Sequence, residues 1–356
     1  MGLFSAINVK NNRLGGIDFL RGIAVLLVIC RHWNICDFLG HAGWMGVDLF
    51  FVLSGFLISG LLFSENEKHE KINFLRFFIR RGFKIYPLFY MLIGLTVILY
   101  YFNGIAIPFK NLLPELLFFQ NYYAGLYLHT WSLAIEEHFY ILLIICFFIL
   151  TRLKPLKHIA TLYILLCLMS AVFLLRIFLC YINAGGIYFT THTRIDSLLA
   201  GVVISYIWRY KKEWLNIFYT KARYILLVIS IVCLSIFGFF EPNNLFTQSI
   251  GFSIIYLACS LLLVFVLTKE SSPEKKSGMI SRSLRFMGFY SYAIYLGHLP
   301  VLNILNHFGI EEGSGIKNIV YFFLYVLLCV ITGVIFSELI EQPFLKLRNK
   351  YFVSKA

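Results

Sequence analysis

The sequence predicts an all-α, polytopic membrane protein of about ten transmembrane helices with both termini cytoplasmic. Three observations carry that prediction. Of 356 residues, 60% are hydrophobic and only 14% charged, with a mean hydropathy of +0.79. Apolar runs of about 20 residues, each long enough to cross a bilayer, recur along the whole chain. The Lys and Arg residues fall almost entirely on alternate connections between those runs.

The runs lie near residues 17–37, 42–63, 83–102, 126–150, 159–181, 194–209, 222–240, 246–268, 284–307 and 318–345. The sixth is short, and the last exceeds what a bilayer needs. With the N-terminus inside, the cytoplasmic connections and termini hold 25 of the 31 Lys and Arg, the outer side holds Lys110 and Lys317, and Arg21, Arg31, Arg176 and Arg194 fall within or at the ends of spans. A missed span would scramble this asymmetry. It predicts a multi-pass protein of the cytoplasmic membrane. It also accounts for the net charge of +13 without a nucleic-acid partner.

No connection exceeds about 25 residues, so the chain reads as one integral domain over 1–356, with a lead at 1–16 and a tail at 346–356. The lead shows no small-residue cleavage pattern after the first apolar run, so no removable signal is expected. The eight cysteines sit in or at the edge of apolar runs, without CxxC pairs or histidines at ligand spacing. They read as small core hydrophobes, and no metal is expected.

The first span carries Arg21 and His32, two groups that a lipid-facing helix excludes. Eleven positions at about 100° each make three turns plus about 20°, so both project from one face about 16 Å apart along the axis. Arg21 lies toward the cytoplasmic end. His32 and Glu136, on the fourth span, both fall about 8–15 Å below the outer surface. A His–Glu pair at that depth would suit a general base for a hydroxyl proton, and a guanidinium at the inner mouth would suit an anion. Plainer readings stand beside these. Arg21 also fits snorkelling to inner headgroups, and Glu136 fits a structural role between helices. The run from Arg76 to Lys84 fits a positive-inside face, and Trp131 and Tyr140 fit an interfacial belt or a substrate wall equally well. Arg194 and Asp196 fit acceptor contact or helix tying, and Asp48 fits a structural hydrogen bond. A proton-coupled transporter or glycan flippase would use the same buried Arg, His and Glu, although the chain shows no repeat between halves.

Motifs along nearly the whole chain then narrow the reading. They are D-F-L-R-G at 18–22, whose Arg21 with His32 forms an Arg-x10-His signature, and G-V-D-L-F-F-V-L-S-G-F at 46–56. R-R-G-F-K-I-Y-P at 80–87, W-S-L-A-I-E-E-H-F-Y at 131–140 and T-R-I-D-S-L-L-A-G at 193–201 follow. Y-S-Y-A-I-Y-L-G-H at 290–298 and E-Q-P-F at 341–344 complete the series. The ordered series resembles the acyltransferase-3 family of integral membrane enzymes that acylate sugars of bacterial surface polysaccharides. The resemblance implies acyl-coenzyme A, commonly acetyl-coenzyme A, as donor and a polysaccharide or other hydroxylated acceptor. It implies donor binding by Arg21, Arg80, Arg81, Lys84 and Tyr86, and catalysis by His32 with Glu136 and Arg21. Trp131, Ser132, Arg194, Asp196 and His298 are then expected to line the acceptor site. Lys84 replaces an arginine usual in the family and loses its planar fork. The chain resembles stand-alone members rather than those fused to an esterase-like domain, and oligomeric state is left open.

Overall fold

A computed structural model describes residues 15–153, 155–269 and 278–352, without the side chains of 216–221 and 269. Most of the 1–16 lead and the end of the 346–356 tail lie outside the described residues. Among the described residues the chain is helical, with no strand. The order is α1 (Gly15–His32), α2 (Asp37–Ala42), α3 (Met45–His69), α4 (Phe74–Phe102), α5 (Phe109–Leu116), α6 (Trp131–Leu153) and α7 (Ile159–Tyr181). Then come α8 (Thr191–Tyr210), α9 (Lys212–Phe237), α10 (Phe252–Lys269), α11 (Met279–Phe289), α12 (Ser291–His307), α13 (Gly315–Phe336) and α14 (Gln342–Tyr351).

Among the described residues, six helical stretches are long and apolar enough to cross a membrane: Asp37–His69, Phe74–Phe102, Leu128–Leu153, Ile159–Tyr181, Thr247–Thr268 and Gly315–Tyr351. The other four expected spans fall on helices that are shorter or more charged. Helix α1 has 18 residues and carries Asp18, Arg21 and Arg31; α8 carries Arg194, Asp196 and Arg209; α12 has 17 residues. In α9 the apolar part is Ala222–Phe237. The expected continuous span at 284–307 is in fact broken at Tyr290, where the amphipathic α11 gives way to α12. Helices α7 and α13 leave broad apolar surface uncovered, as lipid-facing helices do. Cys30, Cys259 and Cys329 are buried as expected of core residues, whereas Cys36 and Cys167 are exposed.

The helices form two compact units, one of Met1–Leu53 with Ile207–Val334 and one of Ser54–Tyr206 with Ile335–Ala356. In the first, glycines bring backbones against α1. A Cβ on Gly22 would overlap the carbonyl of Leu284 on α11, and one on Gly288 would overlap the carbonyl of Asp18. From the other side Gly43 and Gly46 approach the carbonyls of Leu27 and Ala24. The helix that carries Arg21 and His32 is thereby gripped at backbone level.

In the second unit Gly55 on α3 sits against the Leu198 carbonyl of α8, again too close for a Cβ. Phe63 packs on Phe147 of α6 at 5.0 Å, and Phe83 of α4 packs on Phe352 after α14 at 5.7 Å. Gly22→Ala and Gly55→Ala are each expected to destabilise the protein by about 1–3 kcal/mol, because the added methyl meets backbone rather than a movable side chain. The thermal midpoint in detergent checks this, with Gly94→Ala, which meets nothing within 4 Å, as the neutral control.

Candidate active site

His32 is the last residue of α1, and its neighbours are pinned on both sides. Arg31 donates to the carbonyl of Gly40 at 3.0 Å and pairs with Glu241 at 3.1 Å. Trp33 donates its indole N–H to Asn318 Oδ1 at 2.9 Å, stacks on Tyr325 at 5.5 Å, and is followed by Asn34, whose carbonyl accepts from Asn318 Nδ2 at 2.9 Å. The His32 ring lies 5.0 Å from the ring of His298 on α12. His298 is fully buried, and its Nδ1 donates to the Tyr295 carbonyl at 2.5 Å. In a neutral imidazole that bond places the ring proton on Nδ1. The first unit thus joins His32 with His298, which sequence reasoning had assigned to the acceptor site, and carries Arg21 three turns below His32 on the same unbroken helix.

The second unit builds a polar network around Glu136. Helix α6 places Glu136 and Tyr140 one turn apart on one face. Ser54 donates to Glu136 Oε2 at 2.9 Å, and the Tyr140 hydroxyl bonds the same oxygen and lies 2.7 Å from Ser54 Oγ. Arg81 of α4 lies over the Tyr140 ring at 4.6 Å and donates to its hydroxyl at 2.5 Å. One turn along α4, Tyr86 donates to Glu137 Oε2 at 2.9 Å, while Glu137 Oε1 is buried without a partner. Pro87, next in the chain, has no N–H for the Phe83 carbonyl, so the helical ladder is locally open beside this cluster.

The remaining cations expected at the donor site are engaged within this unit. Lys84 pairs with Glu341, which a π-helical stretch at Ser337–Glu341 turns toward it and which also accepts from Ser337 at 3.1 Å. Arg80 donates to the backbone carbonyl of Phe352.

Of the expected acceptor residues, Trp131 and Arg194 meet through Tyr188. The tryptophan ring is 4.8 Å from Tyr188, and the Arg194 guanidinium stands 5.3 Å over the same ring. Ser132 is buried beside Trp131 in sequence. Asp196 turns instead toward α7, where Arg176 Nη1 donates to its Oδ2 at 2.7 Å and to the Thr193 carbonyl at 2.8 Å, with both charged side chains fully buried. This is helix tying.

The sequence alone assigns no role to Ser54, Glu137 or Tyr188 and leaves Tyr140 between an interfacial belt and a substrate wall. The signal for Tyr140 was present, since four residues separate it from Glu136 on a helix. Nothing local marks Ser54 or Tyr188, which reach their partners through tertiary packing.

A family model described as an acyltransferase domain matches residues 14–338. The O-acetyltransferase OatA of Staphylococcus aureus (strain NCTC 8325) is 29% identical over 359 residues, a match covering 95% of this chain and 58% of that protein. The peptidoglycan O-acetyltransferase OatA of Listeria monocytogenes is 32% identical over 315 residues, covering 81% of this chain and 49% of that protein. The chain therefore spans about half the length of these relatives. No solved structure matches it. With the family model covering nearly its whole length and the motif residues gathered on the helices just described, the chain belongs to the acyltransferase-3 family of membrane proteins.

Proposed function

We propose that this protein transfers an acyl group, acetyl by analogy with the O-acetyltransferases it resembles, from cytoplasmic acyl-coenzyme A to a hydroxyl of an extracytoplasmic or lipid-linked glycan. In this reading His32 removes the proton from the acceptor hydroxyl, and the oxygen attacks the thioester carbonyl. The tetrahedral intermediate collapses with loss of coenzyme A thiolate, which recovers the proton from the imidazolium. An O-acyl ester and free coenzyme A result, and no acyl-enzyme is needed. Glu136 supports the imidazolium that forms. Arg21, Arg80, Arg81, Lys84 and Tyr86 are assigned to the donor's nucleotide end, with Arg80 and Lys84 exchanging their present partners for phosphate. Trp131, Ser132, Arg194 and His298 are assigned to the acceptor. The protein would act in the bacterial cytoplasmic membrane, where donor and acceptor meet from opposite sides.

The observation that supports this reading most is the one-sided use of the Glu136 carboxylate. Ser54 and Tyr140 both bond Oε2, so hydrogen bonds fix the orientation of the carboxylate through one of its oxygens. Glu136→Gln keeps the shape and the Oε contact while removing the charge. It is expected to lower transfer by about 10- to 100-fold, the effect of losing electrostatic support for a protonated base, with the KM for acetyl-coenzyme A unchanged. Transfer at the wild-type rate with an unaltered pH profile would refute the role given to Glu136.

A further inference from the structure

The segment between α5 and α6 is anchored from within and presents a polar and aromatic surface that the transfer chemistry does not use. Glu115 is fully buried, accepting from the Thr130 hydroxyl at 2.6 Å and the Leu126 N–H at 3.0 Å. Burial pushes its carboxyl above the ordinary range, and those hydrogen bonds oppose the shift. A loop held this way can offer side chains at fixed positions.

Those side chains form a relay. Asn121 Nδ2 donates to Thr191 Oγ1 at 2.9 Å, and Thr191 Oγ1 lies 2.8 Å from His138 Nδ1. One group in the relay remains unmet: Asn121 Oδ1, an acceptor on a side chain only 5% exposed.

Beside them lies an exposed platform. The ring of Tyr122, 42% exposed, is within 16° of parallel to that of His192 at 5.9 Å, and a hydrogen bond of 3.1 Å joins its hydroxyl to His192 Nδ1. The His138 ring lies 6.1 Å from that of Tyr122, and Phe119 lies 5.0 Å from His138. An exposed aromatic ring beside an unmet buried acceptor matches a pyranose. Its C–H face lies on an aromatic ring, and each hydroxyl on its rim both donates and accepts. A lipid chain would satisfy the rings and leave Asn121 Oδ1 unmet. The connections that carry the platform, 103–130 and 182–190, hold a single cation, Lys110, which places them outside under the positive-inside rule.

We propose that Asn121, Tyr122, His138, Thr191 and His192 form a docking subsite for one sugar ring of the glycan acceptor. The acceptor class rests on the transferase reading above, whereas sugar binding can be measured without any donor. The full chain in nanodiscs is titrated with triacetylchitotriose, a soluble glycan oligomer, by saturation-transfer NMR. The wild type is expected to bind it, and Tyr122→Ala to weaken binding about tenfold, the scale of one lost aromatic contact. Tyr122→Phe, which keeps the ring, stays within about twofold of wild type by the same reasoning. His192→Ala, exposed at the other edge of the platform, carries the same test should Tyr122→Ala fail to fold.

A wild type that does not bind the oligomer, or a Tyr122→Ala protein that binds it equally, overturns the subsite. So does a Tyr122→Ala protein whose only change is a lipid-dependent shift in thermal midpoint, the signature of an interfacial anchor. Tyr122-dependent binding by a protein that transfers no acyl group refutes the transfer reading and leaves the subsite standing.

Discussion

His32→Ala is expected to lower acyl transfer by about 10²- to 10⁴-fold, the range for loss of a general base, while acyl-coenzyme A binding is retained. The split follows from where the residue sits. His32 closes α1, three turns from Arg21, and its two neighbours are locked by Asn318, Tyr325, Gly40 and Glu241. Removing the imidazole leaves that scaffold and every cation assigned to the donor in place. The adjacent His298 is a poor replacement, because it is fully buried with Nδ1 committed to the Tyr295 carbonyl. Steady-state transfer from labelled acetyl-coenzyme A, with donor affinity measured separately by calorimetry, checks both halves. A variant that keeps more than about a third of the rate would exclude His32 as the base, since even the weakest general-base effects exceed that loss.

The second large effect concerns folding. Arg176→Leu leaves the Asp196 carboxylate buried without its partner, and breaking a buried pair from one side costs about 3–5 kcal/mol. Most of the stability of an ordinary domain is of that order. The expected result is a sharp loss of yield and a lowered thermal midpoint in detergent. The double substitution Arg176→Leu with Asp196→Leu removes both charges and is expected to recover much of the loss. If either single variant folded normally and lost only glycan acylation, acceptor contact rather than helix tying would be the role of Asp196.

The Arg176–Asp196 pair shows where the sequence stops being legible. Hydropathy and charge spacing identify the all-helical membrane architecture, because bilayer thickness sets helix length and a charge in lipid is costly. Arg21 and His32 stand out for the same reason, and α1 runs unbroken between them. The partners of Asp196 and Glu136 depend on which helices pack together, and the one-dimensional pattern does not encode that. Arg176 is 20 positions from Asp196, and Ser54 is 82 from Glu136. The break at Tyr290 was hidden by the continuity of the apolar run, although Gly288 and the basic face of α11 mark it in the structure. Lys84 drew notice for its missing guanidinium fork; its pairing with Glu341 is tertiary and depends on the π-helical turn at Ser337–Glu341.

The central claim is acyl transfer across the membrane from a cytoplasmic donor to an outer hydroxyl. Vesicles are reconstituted with the full chain, labelled acetyl-coenzyme A is sealed inside, and a glycan oligomer is supplied outside. The expected result is alkali-labile acetyl ester on the outer sugar with wild-type protein, and none with His32→Ala although it still binds the donor. Outer glycan that stays unmodified while the protein neither binds acetyl-coenzyme A nor is stabilised by it, yet moves a solute or glycan across the bilayer, would contradict the account in favour of transport.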